Sequence, residues 1–260
     1  MIKDVKSFVK RYAAFDEPIP FKGLLIYPIL LKQYYDFKVS YDILCIEKDK
    51  IPNPKIISMK YLDFIFSVVA LDTNFVDEKH DFTKGKYNIE KLILILCLSL
   101  HVVADDIRII MSNGHYKLII NSIEINSDDF DDFRRIILYQ NLIDYNEEFV
   151  NPEVKEAMNE YYRSKNKGIV MPTLEDKMSV ISAVNGLSKK DFIEMTIREF
   201  DMIFEKCVDL VDYKIYKTAE SSGNVKFETP IEHWVYHKPT DLYAKVFSSY
   251  DTFKKEFDKQ

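Results

Sequence analysis

His101 stands four and five residues before Asp105 and Asp106, and an imidazole beside a carboxylate is the pairing that general acid or base catalysis uses. It also ends the apolar core of the run "LILILCLSLHVVA", residues 92–104, where a histidine is ordinarily a packed residue with its ring satisfied. His233 and His237, in "EHWVYH", stand four apart, so on a helix they could share a metal ion. A zinc-protease helix needs Glu directly after its first His. Here Trp234 takes that place, Pro230 and Pro239 flank the segment, and no third ligand cluster is near. "NSDDFDDF", residues 126–133, lacks the central Gly and alternating oxygen ligands of a calcium loop, and reads as an acidic helix start. No Gly-rich phosphate loop, G-x-S-x-G or C-x-x-C occurs. The expectation is a protein without catalytic, cofactor or metal residues.

Composition narrows the classes further. The 260 residues are 47% hydrophobic and 30% charged, which suits a soluble globular chain, and only 6 are glycine, which favours helices. The net charge of −6 argues against nucleic acid and acidic membranes, which attract concentrated positive charge. The acids Asp4, Asp16 and Glu17 and the absence of an apolar core make the N-terminus unlike a signal peptide. The longest apolar run falls short of the ~20 residues that span a bilayer. Cys45, Cys97 and Cys207 stand far apart among apolar neighbours, so free and mostly buried thiols are expected.

The elements that would position these residues make an α+β fold, predominantly helical with one antiparallel β-hairpin. A helix is expected in 1–15, broken by Pro18 and Pro20, then a short strand at Leu24–Tyr27. Pro28 opens a helix burying Leu31, Tyr35, Val39 and Leu44. After a connector at 48–55, Ser58 caps a helix with Leu62, Ile65, Phe66 and Val69 on one face. A polar loop, 71–88, leads to the buried helix ending at Leu100. Asn113-Gly114 between β-branched runs marks the hairpin at about 107–120. Ser127 then caps a helix beginning Asp128, Asp129, Asp131 and Asp132.

A charged helix over 146–168 marks the boundary between an N-terminal α+β region, 1–150, and a C-terminal helical region, 151–260. Thr173 and Asp176 open the next helix and Gly186 ends it. Ser188 caps one long helix to about Lys217, irregular chain covers 221–239, and a last helix most of 240–258. The Gly186 junction has helix-turn-helix spacing, but Asp191, Glu194, Glu199 and Asp201 on the second helix would repel phosphates, so a plain αα-hairpin is expected.

"LSKKDFIEMTIREFDMIFEKC" with "YKIYKTAESSG", within residues 178–223, resembles the C-terminal helical part of tail assembly chaperones from tailed bacteriophages. "FKGLLIYPILLKQY", within 21–35, is similar to the opening of some phage tail and baseplate assembly proteins. The resemblance implies a non-enzymatic tail protein of the host cytoplasm or the virion, a chaperone or a structural component. Its partners would be the tape measure or other tail and baseplate proteins, with a homo-oligomer allowed, and without nucleic acid, membrane or cofactor. Leu210, Tyr213, Tyr216 and Trp234 are the expected partner-binding residues. A stoichiometric regulator and an enzyme around His101 and Asp105 are the alternatives.

Overall fold

In the computed structural model, which describes residues 2, 4–48, 53–70, 85–147, 168, 170–223, 225–227 and 230–235, three two-residue turns organise the β structure. Lys22-Gly23, Asn113-Gly114 and Asn121-Ser122 all take positive φ at both positions, which matches the right-handed twist of the strands they join. The first joins β1 (Ile19–Phe21) to β2 (Leu24–Ile26) in a two-stranded antiparallel sheet. The others join β3 (Ile107–Ser112), β4 (His115–Ile120) and β5 (Ile123–Asn126) into an antiparallel meander in the order β3-β4-β5.

The expected hairpin is therefore present, with a third strand added. A second hairpin lies where Pro18 and Pro20 suggested only a break, because Pro20 sits in a strand of a two-stranded sheet, where an edge tolerates its missing N–H. The fold is α+β and mostly helical. The expectations for 71–84, 148–167 and 240–258 lie outside the described residues.

Two units divide the chain: Met1–Tyr145 with Leu187–Met202, and Asn146–Gly186 with Ile203–Gln260. In the first, α6 (Ser127–Asn141) is the central helix, and α1 (Val5–Ala13) and α4 (Tyr61–Phe64) pack on it. Its Phe130, Phe133, Ile136, Ile137 and Leu138 are fully buried. Asn126 caps it rather than Ser127, accepting from Asp129 N at 2.8 Å. The face expected after residue 58 is buried as drawn, but Lys60 precedes α4 and Ser58 instead ends the short helix α3 (Pro54–Ile57). α4 continues as a wide π turn over Ile65–Val69.

The segment after Pro28 is not one helix but a 3₁₀ turn, Leu31–Gln33, then α2 (Tyr34–Ser40), then a second 3₁₀ turn, Tyr41–Leu44. The changing period rotates the buried face: Phe37, Ile43 and Leu44 are inside with Leu31, whereas Tyr35 and Val39 are exposed. α5 (Gly85–Leu100) buries Leu92, Ile95, Leu96, Leu98 and Leu100. Among the described residues no helix is long and apolar enough to cross a membrane.

The long C-terminal helix is also interrupted. Ser188 caps no helix; its N–H and hydroxyl both donate to the Asp191 carboxylate. Beyond α7 (Leu174–Asn185), the short α8 (Asp191–Glu194) stops, and α9 (Ile197–Ser221) begins after two intervening residues. Between them Met195 and Thr196 run extended and bridge to Leu30, with Leu31 N donating to Met195 O at 2.8 Å and Ile197 N to Ile29 O at 2.9 Å. Thr196 restarts the helix as its cap, accepting from Glu199 N at 3.1 Å while its hydroxyl donates to Asp16 at 3.0 Å. "TIRE", Thr196–Glu199, carries the T-x-x-E signature of a helix start.

None of the three cysteines is in a disulfide; only Cys207 is buried, and Cys45 and Cys97 are half-buried. Burial raises the Cys97 thiol above its ordinary value, with the charge of Asp106 adding to it, and burial raises Cys207 as well. Alkylation at pH 7 is expected to reach Cys207 last, and labelling of Cys97 and Cys207 should accelerate only as pH passes their ordinary value of 9.0, because the thiolate is the nucleophile. Fast labelling of Cys207 at neutral pH, read by mass spectrometry, contradicts its burial. Phe200 is fully buried, with the ring of Phe192 edge-on at 5.9 Å, so Phe200→Ala should cost about 3–5 kcal/mol in denaturant unfolding.

Candidate partner-binding surface

α9 is built from straight-chain and apolar residues with no Gly or Pro, so 25 residues continue without a break. Within the second unit one side of it is occupied by the chain's own following segment. The Tyr213 ring lies 5.1 Å from His233, Tyr216 is edge-on to Phe227 at 5.9 Å, and Lys206 Nζ donates to Trp234 O at 3.5 Å. His233 in turn stacks on Trp234 at 5.8 Å. Leu210 is half-buried beside them, and Cys207 is buried. The structure thus gathers Tyr213, Tyr216 and Trp234 around a single covering segment, which supplies part of the contact that a partner was expected to make.

Tyr216 remains 47% exposed on that side, and the opposite side of α9 carries a second exposed apolar stripe. Val208, Val211 and Ile215 stand three and four residues apart, on one stripe, and are 40%, 38% and 57% exposed. Phe204 continues the stripe toward the N-terminus, where Lys177 Nζ lies 5.1 Å from its ring centre. The sequence signal was present, since the i, i+3, i+7 spacing is legible, but spacing alone does not say which of two apolar stripes on a helix the rest of the chain will cover.

The residues that could do chemistry fall elsewhere. His101 is not inside α5 but just beyond it, with φ 54°, in the left-handed position that ends a helix. Its ring stacks on Tyr27 at 4.2 Å. Asp106 accepts from Val103 N at 3.4 Å in a 3₁₀ turn, and among the described residues no hydrogen bond joins His101 to Asp105 or Asp106. His237 lies outside the described residues, and among those no three His, Cys, Asp or Glu side chains gather to hold a metal ion.

A polar cluster not legible in the sequence joins α4, β4 and α6. Asp63, 6% exposed, accepts from Tyr116 N at 2.7 Å and from Ser127 Oγ at 2.8 Å, and its other oxygen lies 2.7 Å from His115 Nδ1. Serine, histidine and aspartate are the residues of a hydrolase triad, but the order differs. A nucleophilic serine hands its proton to the imidazole. Here Ser127 directs its hydroxyl to Asp63 or to Tyr116 O, 3.0 Å away, so the carboxylate stands between serine and histidine and the cluster ties three elements together. The one signal was an Asp inside the apolar "YLDFIF", 61–66; its partners lie 52 to 64 residues away.

Asp63→Ala strands the Tyr116 amide, leaves Ser127 only Tyr116 O to donate to, and should cost about 2–4 kcal/mol in urea unfolding. His115→Ala, on an exposed ring, should cost less than about 1 kcal/mol. Equal costs for the two variants contradict the order of dependence drawn from the geometry.

Compared with protein-family models, with curated proteins and with solved structures, the chain matches none.

Proposed function

We propose that this is a non-enzymatic bacteriophage tail protein that acts in tail assembly, chaperone-like, or as a structural component of the tail or baseplate. The observation that supports the reading is the stripe of Val208, Val211 and Ile215, which lies inside the stretch, 178–223, that resembles the helical part of tail assembly chaperones. A chaperone of this kind covers apolar helical segments of its partner until assembly, and a tail component buries the same surface permanently. An amphipathic helix with an exposed apolar stripe serves both. The partners are the tape measure or other tail and baseplate proteins, met in the host cytoplasm and, for a structural component, retained in the virion.

The test is co-expression with the tape-measure and baseplate proteins encoded near its gene, followed by light scattering to find a complex of defined stoichiometry. Val211→Asp with Ile215→Asp should weaken that complex about tenfold or more, because each places an unpaired carboxylate in an apolar contact. The free protein's stability should stay within about 0.5 kcal/mol, as for other exposed substitutions. Failure of every tail protein to bind overturns the assignment. Stoichiometric capture of a regulatory protein instead replaces it with the regulator reading.

A further inference from the structure

Among the described residues β3 is an edge strand with no strand paired on its outer side. The Ser112↔His115 pair flanks a two-residue turn and is therefore a hydrogen-bonded pair, and alternation makes Ile110↔Lys117 and Arg108↔Ile119 the next ones. The N–H and C=O of Ile107, Ile109 and Met111 then point away from β4. The Ile107 N–H turns back to Ala104 O; among the described residues no other backbone or side-chain hydrogen bond reaches these groups.

Soluble proteins ordinarily blunt such an edge with Pro, Lys, a bulge or a short strand. The other edges here follow that rule: β1 carries Pro20 and is three residues long, and β5 has four residues and runs directly into α6. β3 has six residues, "IRIIMS", no Pro, no bulge and one charge, and it exposes Ile110 and Met111.

We infer that two copies of this chain pair antiparallel through β3, forming one continuous sheet in the order β5-β4-β3-β3-β4-β5 across a two-fold axis at Ile109. Self-pairing suits the sequence of the strand. Centred on Ile109, it sets Ile107 opposite Met111 and Ile109 opposite itself, so both backbone groups of Ile109, the Met111 N–H and the Ile107 C=O find partners, about four bonds in all. Arg108 then lies opposite Ile110 of the second copy, and no like charges meet. Shifting the axis to Arg108 sets two guanidinium groups side by side. Shifting it to Ile110 runs Ile107 off the end of the opposing strand. The charge pattern excludes the Arg108 axis, and the Ile109 axis keeps every outward residue of β3 within the opposing strand.

Sedimentation of the full chain over a wide concentration series is expected to show a monomer–dimer equilibrium. Ile109→Pro removes an N–H that points outward, which an edge strand tolerates, and should leave a folded monomer with an unchanged circular-dichroism spectrum. Ile110→Glu, placed opposite Arg108, should tighten the dimer about three- to tenfold, whereas Ile110→Lys should loosen it by a similar factor. A wild-type chain that is monomeric throughout overturns the inference. So does equal loosening by Glu and Lys, which would mean general apolar association, or an Ile109→Pro protein that dimerises as the wild type does.

Discussion

A buried backbone N–H or C=O has to find a partner, and in the first unit of this protein the side chains of α6 supply the partners that regular structure does not. Arg134 donates to Leu44 O at 2.6 Å, and its guanidinium lies 4.1 Å from the Tyr61 ring centre. Gln140 reaches Glu17 O and Ile26 O, Asn141 accepts from Ile29 N at 2.8 Å, and Asp132 accepts from Ile2 N at 2.8 Å. These backbone groups lie outside helices or at the ends of elements, as at Ile26 and Leu44, where a strand and a 3₁₀ turn stop. One helix thus presents an apolar face of Phe and Ile to the core and uses its buried polar residues to close the ends of its neighbours.

The same requirement accounts for the interruption before α9. An unbroken helix through Met195 and Thr196 would satisfy its own amides but leave the 29–31 segment without backbone partners. Extending those two residues gives Leu31 N and Ile29 O their bonds, while Asn141 serves Ile29 N. The helix loses one turn of internal bonding and recovers its start through the Thr196 cap. Asp63 works similarly at the other end of α6, where a single carboxylate satisfies a strand amide and a helix-start hydroxyl.

Polar chemistry in the described residues is therefore largely committed to holding the chain together. Ser127 and His115 are drawn to Asp63, and His101 is stacked where α5 ends. The features left incomplete are of another kind: an apolar stripe on α9 and a backbone edge on β3. Water solvates an exposed valine poorly and an edge amide well, so the first gains from an apolar partner through burial and the second through directional pairing. Neither needs a reactive group, and both are compatible with the association role proposed above.

What the residues determined by themselves was whatever depends on near neighbours along the chain. Asn113-Gly114 specifies its turn because both positions must take positive φ. Thr173 and Asp176 open α7 and Gly186 ends it because caps are local, and Leu62, Ile65, Phe66 and Val69 share a face because the helical period places them there. Tertiary structure decided what period and propensity leave open. Tyr35 and Val39 turned outward because two 3₁₀ turns rotated the buried face. The strand at Ile19–Phe21 formed despite Pro20 because a two-stranded sheet leaves an edge to accept it, and Asp63 became buried because its partners arrive from β4 and α6. On α9, both apolar stripes were legible, yet only tertiary structure decided that Phe227, His233 and Trp234 would contact one of them. Burial is a property of pairs brought together from far apart in sequence, and no window of one helix contains it.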